Sequence, residues 1–567
     1  MKILIKLSVA AVWATAGGVP ISQAAAADPA FGQVVDDFVF GTLALSPSTA
    51  STVGYHKHHG EVLEDLLDDF SPAGIKASLN LQRDIETRID ALDPNALNAE
   101  QRADIDIMRD AIQGTRLDLE EIQSYRHNPT LYVELVGNAL YTPYVLHYAP
   151  REERFRHIIH RIIRIPALVR QAEQNLVDSP EIWNKVAREE NGGNIELIDG
   201  TLRHSCPKSL RADYAQAAAP ALIALRAFSA FLEGTLAKKT ADWRLGKVRY
   251  AKKFSYVLET GKTPDTLLKE AEADLVKTRE EMAQLAAPKS VEQALADVAA
   301  HHATPHTFIA AARQSLAAAT AFVREKDLVT LPPGSNLQVM DTPVFMRGTY
   351  GVGGFNQAPA LEPKLGAFYW VTPIPDTWPQ ARIDSKLREY NDAGLAHLTV
   401  HEAMPGHYVQ AEYANDVQPR SRRLLRSIFG NGPYVEGWAV YSQQLMAEQG
   451  YLGDTPDYRL TLAKQMLRVL ANTILDVRLQ TMGMTDDEAI DLMTHGAYQE
   501  MAEATDKLQR AKLSSCQLPT YYAGYKGWLA LREHYQQLHD ASTLKQFHQA
   551  ALREGAVPLP VLDELLN

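Results

Sequence analysis

Cysteine is scarce in this sequence of 567 residues, which contains only Cys206 and Cys516. Two cysteines so far apart exclude a disulfide-rich scaffold and a zinc site built from cysteine pairs. They can form a disulfide only if the fold brings them close together, and two free buried thiols are an equally good prediction.

Blocks of like charge, low-complexity tracts and internal repeats are also missing. Asp and Glu number 69 against 57 Lys and Arg, which gives a net charge of -12. This balance favours solubility and gives no support to binding of nucleic acid, so we predict no nucleic-acid partner. The hydrophobic fraction of 46% and the charged fraction of 22% are typical of a globular protein. Composition leaves the oligomeric state open.

The first residues of the chain differ from the rest in their pattern. Lys2 and Lys6 precede a short apolar run at 7–16, and small residues follow at 24–27. This pattern is typical of a cleavable secretory signal peptide, which we predict at residues 1–27. The run is shorter than the ~20 apolar residues of a membrane-spanning helix, and no cysteine for lipid attachment stands at the cleavage point. We therefore expect a periplasmic or secreted protein without stable membrane insertion after signal cleavage.

Helical periodicity dominates the chain up to about residue 328 and returns from about Asp384 almost to the end. Between these stretches, proline and glycine are frequent, and two short segments are rich in aromatic and β-branched residues. We predict these segments, Val344–Met346 and Ala367–Thr372, to be strands of a small sheet. The clearest helical segments of the first half are Gln101–Thr115, Glu152–Leu176, Pro264–Leu285 and Pro305–Val323.

The predicted fold is therefore mainly α, with a small β element close before the motif described next. We divide the chain after the signal peptide into an N-terminal helical lobe, residues 28–330, and a C-terminal catalytic lobe, residues 331–567. No Gly/Ser-rich linker separates the two lobes.

Residues 401–407 read HEAMPGH and follow a predicted helix that starts near Asp384. Metallopeptidases commonly bind zinc through two histidines four residues apart on one helical face. Here the spacing is six residues, which would place the two rings roughly 240° apart on a regular helix. Pro405 cannot continue a regular helix, and Gly406 tolerates backbone angles closed to other residues. We therefore predict a break at 404–406 that brings His407 back beside His401.

A third ligand is expected from Glu436, in the segment YVEGWAVY at 434–441. Asn431 and Pro433 are typical of a helix start, as N-cap and first-turn proline. Gly437 is expected to let the helix of His401 approach closely. Two histidines and one glutamate would leave a metal position open for water or substrate.

The segments HEAMPGHYVQ at 401–410 and EGWAVY at 436–441 resemble the paired signatures of a bacterial domain-of-unknown-function family, DUF 885. The resemblance extends over nearly the whole mature chain, as one continuous domain at 28–567. Members of this family resemble zincin peptidases of the gluzincin type. The resemblance therefore implies a large, mainly helical, zincin-like fold.

The same resemblance implies a role for each matching residue. His401, His407 and Glu436 would bind one zinc ion per chain, and Glu402 would be the catalytic base. These are the residues that the spacing argument also selects, although manganese or cobalt can use the same ligands.

Two further segments match the family less well. Asp476 matches an acidic position after the glutamate helix, where it would orient a ligand histidine, although Arg478 and Gln480 depart from the pattern. The segment PTYYAGYKG at 519–527 is similar to a tyrosine-containing stretch near the end of the family's sequences. From it we select Tyr525 first, and Tyr522 second, as the phenol that stabilises a developing oxyanion.

The predicted function is an exported metallopeptidase that hydrolyses peptide bonds through a metal-activated water, with Glu402 as general base. The edge of the strand Ala367–Thr372 is expected to bind an extended peptide by strand addition. Two alternatives remain, a zinc amidohydrolase acting on a non-peptide amide and a non-catalytic helical binding protein with a vestigial site. Exopeptidase or endopeptidase action is also open, and the arginines available for a substrate carboxylate are Arg347, Arg422, Arg423, Arg426 and Arg478.

Overall fold

The computed structural model of the protein describes residues 29–332, 336–347 and 351–567. The predicted signal peptide, residues 1–27, lies outside the described residues. Within them the fold is mainly α with a small β element, as predicted. The helices of the first part, α1 to α14, are Pro29–Leu45, Pro47–Thr52, Pro72–Asp90, Ala99–Arg116, Ser124–His127, Thr130–Val145, Arg151–Asn175, Glu181–Glu196, Arg203–Ser205, Arg211–Gly234, Gly246–Leu258, Pro264–Ala286, Val291–Ala299 and Phe308–Glu325.

The second part of the chain is helical apart from its beginning. Its helices, α15 to α25, are Gln380–Glu389, Asp392–Glu402, His407–Ala414, Arg420–Ile428, Gly432–Glu448, Pro456–Thr481, Asp486–Asp491, Met501–Leu513, Pro519–Leu538, Leu544–Arg553 and Leu559–Leu566. Short strands β1 and β2, Lys57–His58 and Glu61–Val62, form a small antiparallel pair near the start of the chain.

A three-stranded sheet precedes the helices that carry the HEAMPGH motif. Its strands are β3, β4 and β5, at Leu337–Asp341, Gly353–Asn356 and Ala367–Val371. β5 is the central strand, parallel to β3 and antiparallel to β4. The predicted strand at Ala367–Thr372 is thus confirmed. Because both of its edges are already paired, the prediction that it adds a substrate strand is wrong, and the strand that faces the cavity described below is β4.

The predicted strand at Val344–Met346 is wrong, because these residues form a single turn of 3-10 helix. Pro343 precedes the turn, and its carbonyl accepts a hydrogen bond of 2.9 Å from the N–H of Met346. Three apolar residues directly after a proline are too few to show the periodicity of a helix or of a strand. The local turn therefore decides their conformation.

The division predicted near residue 330 does not coincide with a division between hydrophobic cores. The largest core joins α1, α3 and α4 to the helices around the motif. Phe38 of α1, for example, lies against Phe429 with ring centroids 4.9 Å apart. A second core belongs to α6, α7, α8 and α10, and a third joins α11 and α12 to α20 and α23.

Helices α19 and α23 pack against each other at two glycines. A Cβ atom on Gly437 would lie 2.3 Å from the carbonyl carbon of Gly524, and one on Gly524 would lie 2.0 Å from the carbonyl oxygen of Pro433. The two backbones are therefore in direct contact. Gly437 does admit a close neighbour, but that neighbour is α23, whereas the sequence predicted the helix of His401.

We predict that Gly524→Ala destabilises the protein by about 1–3 kcal/mol or more, because the added methyl group forces the two backbones apart. Gly192→Ala is the matched control, since Gly192 is an exposed glycine inside α8, and a Cβ atom added there would have no neighbouring atom within 4 Å. That change should be neutral or stabilise by about 0.5–1 kcal/mol. The measurement is the midpoint of thermal and urea unfolding, and equal midpoints for Gly524→Ala and wild type would contradict the prediction.

Candidate metal centre

The helix that ends at the motif is a short one, because the predicted helix from Asp384 is interrupted. α15 ends at Glu389 and α16 begins at Asp392. The side chain of Asn391 caps α16 by accepting hydrogen bonds of 3.1 Å from the N–H groups of Ala393 and Gly394. An N-cap of this kind starts a new helix, at whose last turn His401 lies.

The structure contains the break predicted inside the motif. α16 ends at Glu402, α17 begins at His407, and the N–H of Gly406 donates to the carbonyl of Val400 at 3.0 Å. The connection folds back over the last turn of α16 so tightly that a Cβ atom on Gly406 would lie 1.9 Å from the carbonyl oxygen of His401. As a result the imidazole rings of His401 and His407 lie with their centroids 4.7 Å apart.

Trp438 of α19 holds this connection in place. Its indole N–H lies 2.8 Å from the carbonyl oxygen of Pro405 and 3.2 Å from that of Gly406. The indole is fully buried. The indole thereby satisfies the carbonyl of Pro405 in the break, and it adds a second donor to the carbonyl of Gly406, which also accepts the N–H of Gln410 at 3.2 Å.

Glu436 completes a group of three side chains. As predicted, Asn431 caps α19, accepting a hydrogen bond of 2.9 Å from the N–H of Tyr434. The Oε2 atom of Glu436 lies 3.5 Å from Nε2 of His401 and 3.4 Å from Nε2 of His407. Among the residues that the structure describes, these three form the group whose ligand atoms all lie within 4.8 Å of one another.

The spacing of the three side chains fits a zinc ion. Two ligands of a tetrahedral ion with bonds of ~2.1 Å lie ~3.4 Å apart, close to both measured distances. The same distances are long for hydrogen bonds, and Oε2 of Glu436 is buried without a hydrogen-bond partner among the described residues. A cation held between these three atoms would satisfy the buried carboxylate oxygen.

Charge complementarity is strong at this site. Burial alone would raise the pKa of Glu436, but His401 and His407 hold this pKa well below its usual range. Burial alone would lower the pKa of His407, but Glu436 raises it overall. The carboxylate is therefore ionised, as a metal ligand has to be.

Gln517 orients Glu436 from the other side. Its side-chain N–H donates to Oε1 of Glu436 at 3.1 Å, which leaves Oε2 to face the two histidines. The next residue back, Cys516, donates its backbone N–H to Oδ1 of Asp476 at 3.0 Å, and Tyr250 donates its hydroxyl to the same oxygen at 2.6 Å. Asp476 thus supports the segment that carries Gln517, and its hydrogen bonds do not include the histidine contact predicted for it. Burial raises the pKa of Asp476 to about 6.

Of the tyrosines near the end of the chain, Tyr521 lies at the site. Its ring stacks on His401, with centroids 5.9 Å apart and planes 12° apart. Its hydroxyl oxygen accepts hydrogen bonds from Arg510 at 3.2 Å and Gln517 at 3.3 Å. Burial, followed by the charge of Glu436, raises the pKa of Tyr521 to about 12, so the phenol stays protonated at neutral pH.

The structure does not bring the two predicted tyrosines to this position. Tyr525 lies one turn further along α23, outside the cavity lining and against the hydrophobic cores. Tyr522 donates its hydroxyl to Asp274 at 2.7 Å. Pro519 marks the first turn of α23. This signal could have shown from the sequence that, of the three tyrosines, Tyr521 lies nearest to the N-terminus of the helix. Nothing in the sequence pattern indicated Gln517.

A cavity of about 1580 Å³ opens over these side chains. This volume exceeds the ~300–1,000 Å³ typical of small-molecule sites. Glu402 lines the cavity beside the three candidate ligands, and β4 and α8 contribute further walls. The space is therefore large enough for an extended substrate.

Of the five arginines considered for a substrate carboxylate, Arg347 lines the cavity and the other four do not. Arg422 and Arg426 form ion pairs with Glu100 and Asp104. Arg423 donates to backbone carbonyls, and Arg478 pairs with Glu272. Both cysteines are buried and free.

Comparison with known proteins gives a family and a shared fold. A solved structure from Shewanella oneidensis, described as a candidate lipoprotein of unknown function, is 28% identical in sequence, with a TM-score of 0.77 over 94% of this chain and 99% of that chain. A second solved structure, a candidate lipoprotein from Colwellia psychrerythraea, is 17% identical, with a TM-score of 0.77 over 95% of this chain and 98% of that chain. Among curated proteins none matches at a significant level. The family model described as "Bacterial protein of unknown function (DUF885)" matches residues 47–566, and the chain therefore belongs to this family.

Proposed function

We propose that this chain is a zinc-dependent metallopeptidase whose metal ligands are His401, His407 and Glu436. The observation that carries the proposal is the position of Oε2 of Glu436, which lies 3.5 and 3.4 Å from the two imidazole nitrogens and has no hydrogen bond among the described residues. The group lies in the wall of a large cavity, as a catalytic metal requires. A structural zinc would tend to be enclosed by four protein ligands.

Bound zinc would lower the pKa of a water molecule towards ~7 and polarise the carbonyl that the water attacks. Glu402 follows the ligand His401 directly and lines the same cavity. Its carboxylate accepts the proton of the attacking water and then delivers this proton to the nitrogen of the leaving amine.

Tyr521 stabilises the negative charge that develops on the carbonyl oxygen. Its own oxygen accepts two N–H groups, from Arg510 and Gln517, so that its hydroxyl proton is available to the substrate. Because the phenol is buried and protonated, it acts as a hydrogen-bond donor in surroundings where such a bond is strong.

A peptide is the substrate that best fits the cavity. The volume exceeds that of a small-molecule site, and β4, an edge strand of the sheet, lines it. The backbone of an extended peptide can pair with such an edge.

Export is the second part of the proposal. The relative from Shewanella oneidensis is described as a candidate lipoprotein, and lipoproteins are exported proteins. The positively charged, then apolar, then small-residue pattern of residues 1–27 supports the same location for this chain.

Elemental analysis of the purified protein tests the metal assignment. We expect one zinc ion per chain in the wild type and in Glu402→Gln, and loss of zinc in His401→Ala, because His401 is a ligand and Glu402 is not. Absence of zinc from the wild type after reconstitution, or its retention in His401→Ala, would contradict the assignment. Circular dichroism of each variant checks that the fold is kept.

Hydrolysis of a random peptide library, followed by mass spectrometry, tests the catalytic residues. We expect Glu402→Gln to lower the rate by about 10²–10⁴-fold through loss of the general base. Tyr521→Phe should lower kcat by roughly 10²–10³-fold through loss of the oxyanion donor. Tyr525→Phe is the matched control on the same helix and should keep a rate close to wild type.

Three results would change the assignment. Equal rates for Tyr521→Phe and Tyr525→Phe would remove Tyr521 from the mechanism. Hydrolysis of non-peptide amides in place of peptides would favour the amidohydrolase alternative. A zinc-loaded protein without any hydrolase activity would favour a binding protein.

A further inference from the structure

Helix α22 forms a charged wall of the cavity that holds the metal ligands. Glu503, Asp506, Lys507 and Arg510 all line the cavity. Their spacing of one, three and four residues places them on one side of the helix, so that they face the same space.

The two acids of this wall are already paired with cations. Glu503 accepts from Lys386 at 3.0 Å and from Arg468, and both partners also line the cavity. Asp506 lies 3.5 Å from the ammonium of Lys386 and 3.4 Å from the guanidinium of Arg382. Both carboxylates therefore have cationic partners other than Lys507, although the charge of Lys507 also helps to lower the pKa of Glu503.

Lys507 has a different environment. Its side chain is 5% exposed, and its ammonium donates to the amide oxygen of Asn472 at 3.1 Å. No carboxylate lies within ion-pair distance of this ammonium in the part of the chain that the structure describes. Burial first, and then the charges of Arg468 and Arg510, hold the pKa of Lys507 well below its usual range, so an anion bound beside this amine would favour its charged form.

A lysine buried in this way is unusual, because buried ammonium groups are normally paired with an anion. An ammonium has three N–H donors, and Asn472 uses one of them. Since Lys507 also lines the cavity, an anion in the cavity can supply the missing partner.

The position of Lys507 relates it to the reacting centre. Arg510, one turn further along α22, donates to Oε1 of Gln517 at 3.1 Å. Gln517 in turn donates to the ligand Glu436. A group bound at Lys507 therefore lies one helical turn from Arg510. Two hydrogen bonds link Arg510 through Gln517 to the proposed ligand Glu436.

We infer that Lys507 binds a carboxylate of the substrate, so that the enzyme selects peptides that present a carboxylate to this wall of the cavity. The inference rests on the proposed peptidase function and extends it to a substrate class. An ammonium and a carboxylate in a buried site form a short, charge-assisted hydrogen bond. Arg347 also lines the cavity but is less buried. An ion pair between Arg347 and a substrate carboxylate would therefore contribute less to the free energy of binding.

The carboxylate can come from the C-terminus of the peptide or from an Asp or Glu side chain. A random tetrapeptide library made in two forms, as free acids and as C-terminal amides, distinguishes these sources. Zinc-loaded Glu402→Gln protein is mixed with each library, because this variant should hold the metal without cleaving the peptides. Peptides retained with the protein on ultrafiltration are then identified by mass spectrometry.

We expect free-acid peptides to be retained about tenfold to a hundredfold better than amides, and this preference to fall to near one when Lys507→Met is added. If the side chain is the source, peptides that contain Asp or Glu are retained from both libraries in preference to those that lack these residues, and Lys507→Met abolishes that preference. Lys507→Gln is measured in parallel, so that the result does not depend on the folding of one variant.

Lys512→Met is the matched control, since Lys512 lies on the same helix and pairs with Asp486 outside the cavity lining. It should leave the preference unchanged. A carboxylate preference that persists in both folded Lys507 variants, or the absence of any preference before substitution, would overturn the inference. Because retention requires no turnover, a failure of the peptidase proposal would appear separately, as absence of hydrolysis by the wild type.

Discussion

The close backbone contact between α19 and α23 is the constraint on which the site depends. Because neither Gly437 nor Gly524 has a side chain, the first turns of the two helices can touch. This contact places Glu436 beside Gln517 and Tyr521, which come from the start of α23 and the residues just before it. The three consecutive residues EGW therefore act together: the glutamate faces the histidines, the glycine admits α23, and the tryptophan holds the carbonyls of the HEAMPGH break.

The second constraint is the burial of charge. A carboxylate and two imidazoles share a largely buried site, with side chains that are 11–18% exposed, and burial of an isolated charge is costly unless it is compensated. Each group here compensates another: the histidines lower the pKa of Glu436, and Gln517 satisfies its second oxygen. Such a preorganised set of donors keeps its geometry because its supports are themselves buried and hydrogen-bonded.

The local backbone structure within each motif could be predicted from the sequence, whereas the contacts between distant segments could not. The break before His407 follows from Pro405 and Gly406, because their backbone chemistry is local. The start of α19 likewise follows from Asn431, which caps it. By contrast, the choice between Tyr521 and Tyr525 depends on where α23 meets α19. The partners of Asp476 likewise come from distant segments, as the backbone N–H of Cys516 and the hydroxyl of Tyr250.

The walls of the cavity also depend on such distant contacts. α8 and α22 are far from the motif in sequence, yet both line the space above it. The two solved structures are 28% and 17% identical to this chain and have the same TM-score of 0.77, so the fold tolerates wide changes in sequence. Recognition of a ligand, however, requires particular side chains at particular places, and in the inference above a single buried side chain, Lys507, would decide which ligand binds. If the proposed function holds, we expect substrate choice in this fold to vary with the residues of the cavity walls, while the proposed chemistry stays with the two short motifs.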